Sequence, residues 1–170
     1  MQIYNLEFSE KAVREALAKN RLLSMEIEFS RLCNFRCAYC YVDDPNRNPN
    51  ELTREEIKKT ILQAKELGAG KIIILGGEPS IYPHLEEMLN FLAEQELAIE
   101  IFTNGSGITP HMAQLLAAKK ARVALKLNSR DEALQDRLAG KKGAFAIIKQ
   151  ALSNLRAAGY PGPDHFLALS

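Results

Sequence analysis

The stretch Cys33-Asn34-Phe35-Arg36-Cys37-Ala38-Tyr39-Cys40 gathers all three cysteines of the 170-residue chain at C-x3-C-x2-C spacing. Thiolates are soft ligands, and three on one short loop suit a thiophilic metal ion or an iron–sulfur cluster. An odd number of clustered cysteines fits no disulfide framework, so the pattern points to metal binding in a reducing compartment. Three thiolates can hold three irons of a [4Fe-4S] cube, whose fourth iron then needs a ligand from elsewhere. The competing reading is a structural zinc site, which normally takes four protein ligands. The chain has no fourth cysteine, and His84, His111 and His165 lie far from the loop in sequence.

The elements that must position this loop follow from hydrophobic periodicity. Glu10 to Lys19 reads as a short amphipathic helix, and Ser24-Met25-Glu26-Ile27-Glu28-Phe29 alternates with period two, a strand running straight into the cysteines. After the polar stretch from Asp43 to Asn50, Thr53 and Glu56 form a capping-box pattern for a helix ending at Gly68 and Gly70. Lys71 to Leu75 is a continuous apolar run, as in a strand buried on both faces, and breaks at Gly76-Gly77-Glu78-Pro79. Pro83 starts a helix through Leu92, Ala98 to Phe102 forms a third strand, and Thr103-Asn104-Gly105 ends it. Thr109-Pro110 caps a further helix, followed by a fourth strand from Val123 to Leu127 and a polar stretch from Asn128 to Lys142. A helix from about Ala144 to Ala158 and a final strand from Phe166 complete the order.

Four strand-loop-helix units and the start of a fifth strand describe a parallel α/β sheet, either open and doubly wound or rolled into a barrel. In both, active-site loops lie at the C-terminal ends of the strands, so the cysteine loop, Gly76 to Pro79, Thr103-Asn104 and Asn128-Ser129 should share one rim. Composition adds exclusions. The formal charge is +1, with 22 basic and 21 acidic residues, so no global field favours nucleic acid or an anionic membrane. The start lacks a signal-peptide pattern and no apolar run approaches a membrane span, which reads as a cytoplasmic protein. There is neither G-x-G-x-x-G nor G-x-x-x-x-G-K-[ST] to support a nucleotide binder with incidental cysteines.

The cysteine spacing, with an aromatic residue before the last cysteine, resembles the radical S-adenosylmethionine (radical SAM) enzymes over nearly the whole chain. It is most similar to members that modify peptides and proteins. The resemblance implies a partial (β/α) barrel and two cofactors, a [4Fe-4S] cluster on Cys33, Cys37 and Cys40 and S-adenosyl-L-methionine chelating the open iron. Gly76-Gly77-Glu78-Pro79 matches the family's glycine-rich bend that meets the methionine amino group. Glycines let backbone approach a ligand, and Glu78 can accept hydrogen bonds from an ammonium. Tyr39, Thr103 and Asn104 resemble residues beside the ligand. Relatives often carry Ser-Leu-Asp-Gly where this chain has Lys126-Leu127-Asn128-Ser129, so Asn128 or Ser129 is expected at the ribose and Arg137 at the ligand carboxylate. Met25 and Phe35 join Tyr39 as expected apolar neighbours.

The reaction implied is reductive cleavage of S-adenosylmethionine to a 5′-deoxyadenosyl radical that abstracts hydrogen from a substrate, here a peptide or protein. An electron donor such as a flavodoxin or ferredoxin is the implied partner. The alternative is a zinc-binding structural or interaction module without catalysis. Family barrels usually have six units, so residues 1–170 are expected to form the N-terminal part of a core domain, truncated after about four and a half units. Strands five and six and any accessory domain would lie elsewhere.

Overall fold

The computed structural model describes residues 8–42 and 50–170. The polar stretch expected after the cysteine loop lies, up to residue 49, outside the described residues. The chain runs α1 (Glu10–Ala18), β1 (Ser24–Glu28), α2 (Arg54–Glu66), β2 (Lys71–Leu75), a single 3-10 turn (Pro79–Ile81), α3 (Leu85–Glu94) and β3 (Ala98–Thr103). It continues through α4 (Pro110–Ala118), β4 (Arg122–Leu125), α5 (Glu132–Leu138), α6 (Ala144–Ala157) and β5 (Leu167–Leu169).

Local chemistry sets most boundaries. Thr53 accepts from the Glu56 amide while the Glu56 carboxylate accepts from the Thr53 amide, a complete capping box for α2. Thr109 caps α4 through the Met112 amide, with Pro110 in the first turn, where its missing N–H is not needed. Pro83 does not open α3; the helix begins at Leu85 with His84 as its cap, and it is Pro79 that opens a turn of its own. The fourth strand stops at Leu125, two residues short of expectation.

Sheet order is β1-β2-β3-β4-β5, every pair parallel. A doubly wound sheet reverses direction partway along its order, whereas successive right-handed crossovers in one direction keep every helix on the same face and curl the sheet toward a barrel. The observed order selects the barrel type. Ile27, Ile72, Ile74, Ile99, Ile101, Val123 and Leu125 point to the helix side and form one core with Ile57, Ile61, Met88, Leu92, Leu116, Ile148 and Leu155. Met25 shares that parity and packs against this core rather than near the cysteines.

The opposite, concave face carries Lys71, Leu75, Glu100, Phe102 and Arg122. Toward its N-terminal end, Lys71 Nζ lies 2.7 Å from Glu100 Oε2, Arg122 Nε is 3.7 Å from the same oxygen, and the Arg122 guanidinium covers the Phe166 ring at 3.8 Å. This charged layer closes the inner end of the barrel, and the open end lies at the strand C-termini.

The stretch from Asn128 to Lys142, read from the sequence as polar and irregular, contains α5. Asp131 caps it by accepting from the Leu134 amide at 2.7 Å, and Gln135 is its one buried residue. A seven-residue helix that buries a glutamine shows no apolar period to detect.

Candidate functional site

β1 passes through the buried Phe29 into the cysteine loop, which is fixed from two sides by backbone. From the β2 side, the Gly77 amide donates to Ser30 O at 3.0 Å and the Glu78 amide to Leu32 O at 2.8 Å. From the α5 side, the Arg36 amide donates to Ala139 O at 3.0 Å and the Ala38 amide to Leu138 O at 2.9 Å. A Cβ at Gly77 would overlap the Leu32 carbonyl, and one at Gly140 would overlap the Arg36 carbonyl, so only glycine permits either approach. Phe35 is buried with Ala139 and Ala144 and carries Cys33 and Cys37 against that small cluster.

The loop thus held faces a cavity of about 330 Å³. Cys33, Cys37 and Cys40 line it together with Tyr39, Gly76, Gly77, Glu78, Thr103 and Asn104. Nine of the residues singled out from the sequence therefore meet at one rim. Pro79 lies buried beneath it at the start of the 3-10 turn. Asn128 sits just outside and accepts a hydrogen bond from the Tyr39 hydroxyl. Ser129 is engaged in the cap region of α5, its hydroxyl accepting from the Asp131 amide at 3.1 Å. Arg137 is on the exposed side of α5 and does not line the cavity.

Leu75, Tyr41, Phe102 and Lys126 complete the lining and were not among the candidates. Pleat parity could have found Leu75 and Phe102, since both alternate with helix-facing isoleucines. Gln135 carried no sequence signal, yet its buried side-chain oxygen accepts the Asn128 and Ser129 amides, both at 2.9 Å, and so shapes the end of β4.

Glu78 is 3% exposed. Its carboxylate accepts from the Ser80 amide at 2.8 Å, from the Ser80 and Thr103 hydroxyls, and from the Asn104 amide at 2.5 Å. Burial pushes the Glu78 carboxyl above the usual range against the pull of these donors. The residue ties the loop after β2 to the loop after β3. The Asn104 side chain extends the tie by donating to Asn34 Oδ1 at 3.1 Å, inside the cysteine loop.

Burial also raises the Cys33 and Cys37 thiols, so ligation there has to displace protons. All three cysteines are free. Among the described residues, no three or more His, Cys, Asp or Glu side chains converge on a point that would hold a single metal ion. A zinc site requires that convergence. A cubane takes one thiolate on each of three irons, so a set of three cysteines suits the cluster better than a four-ligand zinc ion.

A one-way parallel sheet with a three-cysteine loop at its open rim defines a partial (β/α) barrel built around a cluster site. The chain belongs to the radical SAM superfamily, whose family model matches residues 27–168. That superfamily uses a [4Fe-4S] cluster and S-adenosylmethionine. The mycofactocin maturase MftC of Mycobacterium tuberculosis is 31% identical over 136 residues, covering 79% of this chain and 34% of the maturase. SuiB of Streptococcus suis bound to the precursor peptide SuiA superposes with a TM-score of 0.71 at 25% identity, over 94% of this chain and 40% of SuiB. SuiB bound to S-adenosylmethionine gives 0.70 at 25% identity, over 88% and 35%. The chain thus spans about a third of the length of the curated maturase it matches. No helix among the described residues is long and apolar enough to cross a membrane.

Proposed function

We propose that this chain is the cofactor-bearing part of a radical SAM enzyme that acts on a peptide or protein. One observation carries the reading: all three cysteines open into the same cavity as the Gly76-Gly77 bend and the ends of β3 and β4. Cys33, Cys37 and Cys40 would hold the cluster, and S-adenosylmethionine would lie across the rim. When bound, these groups supply an electron and a 5′-deoxyadenosyl radical that removes hydrogen from substrate.

The chain's own residues have separate tasks. Gly76 and Gly77 admit the ligand's methionine end to bare backbone, where carbonyl oxygens can accept from its ammonium. Glu78 braces that bend rather than offering a free carboxylate, because four donors of the chain already meet it. Leu75, Phe102 and Tyr39 give the cavity apolar walls that exclude water from a reactive intermediate. Asn128, held by Tyr39 and Gln135, is our assignment for the ribose hydroxyls.

The peptide substrate is supported by the maturase and by the SuiB complex with its precursor peptide. A flavodoxin- or ferredoxin-type donor and a cytoplasmic setting accord with free cysteines that must stay reduced. A loop of three cysteines, one ligand short of the four that structural zinc normally takes, counts against the zinc module. The test is anaerobic reconstitution with iron and sulfide, then reductant and S-adenosylmethionine. The reading expects 5′-deoxyadenosine from wild type and none from Cys40→Ala; a colourless protein that binds zinc and releases no 5′-deoxyadenosine would overturn it.

A further inference from the structure

The reaction proposed above consumes one electron for each S-adenosylmethionine cleaved, and that electron has to reach the cluster from another molecule. Ligand and substrate would occupy the cavity side of the cysteine loop, so a donor protein has to approach from behind it. There the wall is thin. Cys33 and Cys37 pack against one small buried layer, Phe35, Ala139 and Ala144. Ala139 closes α5 and Ala144 opens α6, and the residues that join them are Gly140, Lys141, Lys142 and Gly143. The turn over the back of the cysteines is short and carries two positive charges.

Two further cations meet it. Arg36 lies against Gly140, since a Cβ there would overlap the Arg36 carbonyl. Its Nη1 donates to Cys33 O and to Phe35 O, both at 2.8 Å, which fixes an exposed guanidinium on the cysteine loop outside the cavity lining. Arg137, also exposed, accepts the Gly140 amide on its carbonyl at 3.2 Å. None of the ion pairs among the described residues uses Arg36, Arg137, Lys141 or Lys142. Asp136 is close by, but its Oδ2 accepts the Gly143 amide at 2.5 Å and its Oδ1 the Phe145 amide at 2.9 Å. Asp131 and Glu132 stand at the other end of α5. By contrast α3 carries Glu86, Glu87 and Glu94 and no basic residue, so a formal charge of +1 is unevenly spread, with unpaired positive charge gathered behind the cysteines.

Lysines without partners are ordinarily just solvated, and position is what sets these apart. Electron transfer falls off steeply with distance, and a partner of opposite charge is steered and oriented by such a patch. We propose that the face formed by Arg36, Arg137, Lys141 and Lys142 docks a small acidic protein that carries one electron. The electron crosses the layer of Phe35, Ala139 and Ala144, taking the cluster from [4Fe-4S]2+ to [4Fe-4S]+ as the carrier is oxidised by one electron, with no bond made or broken. The inference rests on the function proposed above and adds the surface through which its electron arrives.

The test follows 5′-deoxyadenosine release by cluster-loaded protein and S-adenosylmethionine under two limiting reductants. One is flavodoxin hydroquinone, an acidic protein, and the other is reduced methyl viologen, a small cation. Lys142→Glu should slow flavodoxin-driven release about threefold and Lys141→Glu/Lys142→Glu about 10-fold or more at low ionic strength, with the gap closing as salt screens the face. Viologen-driven release should stay within about twofold of wild type in both variants, because a small cation needs no basic docking face. The same charge change at Lys59, exposed on α2, should leave both rates within about twofold. The docking face would be overturned, with the enzyme reading left standing, by a double variant that flavodoxin drives as fast as wild type or that slows equally under both reductants. A Lys59→Glu loss as large as that of Lys142→Glu, or a wild type that viologen drives and flavodoxin does not, would overturn it in the same way. No 5′-deoxyadenosine from wild type under either reductant would overturn the enzyme reading itself.

Discussion

Glu78 is the side chain on which the rim depends most. Four hydrogen bonds from Ser80, Thr103 and Asn104 end on its buried carboxylate, so Glu78→Ala strands several donors at once. The expected cost is about 3 kcal/mol in chemical denaturation, with cluster content falling as the loops after β2 and β3 separate. A variant as stable as wild type would show that the tie is dispensable. The cysteines behave oppositely: Cys33 and Cys37 are only half-buried and Cys40 is exposed. Cys40→Ala should therefore lose iron, sulfide and colour while its unfolding midpoint stays close to that of the metal-free wild type. The cysteines and the glycine bend were legible in the sequence because type and spacing alone define them. Glu78's partners were not, since Ser80 is local but Thr103 and Asn104 meet it only through the β2–β3 pairing.

Between elements, two connections carry testable consequences. Glu87 on α3 receives Arg54 and Lys58 of α2, both at 2.7 Å, and these cations hold its carboxyl at about 2 against an ordinary value of 4.5. A carboxyl depressed in the folded state binds fewer protons than in the unfolded chain, so its contribution is present above about pH 4.5 and lost as pH falls toward 2. Glu87→Gln should lose the tie's small contribution at neutral pH and converge with wild type as pH falls toward 2, so that the acid side of the stability profile flattens in that window, read by thermal melts across pH. An unaltered acid limb would remove this tie from the account. The second connection is α5, whose last carbonyls accept the Arg36 and Ala38 amides. Gly140→Ala should push the Arg36 carbonyl away and cut the iron retained per chain several-fold, while far-UV circular dichroism stays native. Full iron loading would contradict the clamp. This helix was invisible in the sequence because its stability comes from a cap and from tertiary hydrogen bonds, whereas α2, α3 and α6 declare themselves by apolar faces.

For the molecule as a whole, periodicity specified parallel α/β units and a shared rim but left barrel and open sheet undecided, because neither periodicity nor turn chemistry encodes strand order; the partial barrel followed only from the resemblance that the cysteine and glycine motifs carry. The order β1-β2-β3-β4-β5 resolves that, and with it the placement of the crossover helices α2, α3, α4 and α6 on one face. The result is a concave face with a charged layer of Lys71, Glu100 and Arg122 at one end and the cysteine cavity at the other. Everything functional in the account depends on that cavity holding a cluster with one iron open to S-adenosylmethionine. Electron paramagnetic resonance of the anaerobically reconstituted, reduced protein addresses this directly. The account predicts a [4Fe-4S]+ signal whose g-values shift when S-adenosylmethionine is added. A cluster signal that S-adenosylmethionine leaves unchanged, or no cluster signal at all, would contradict it.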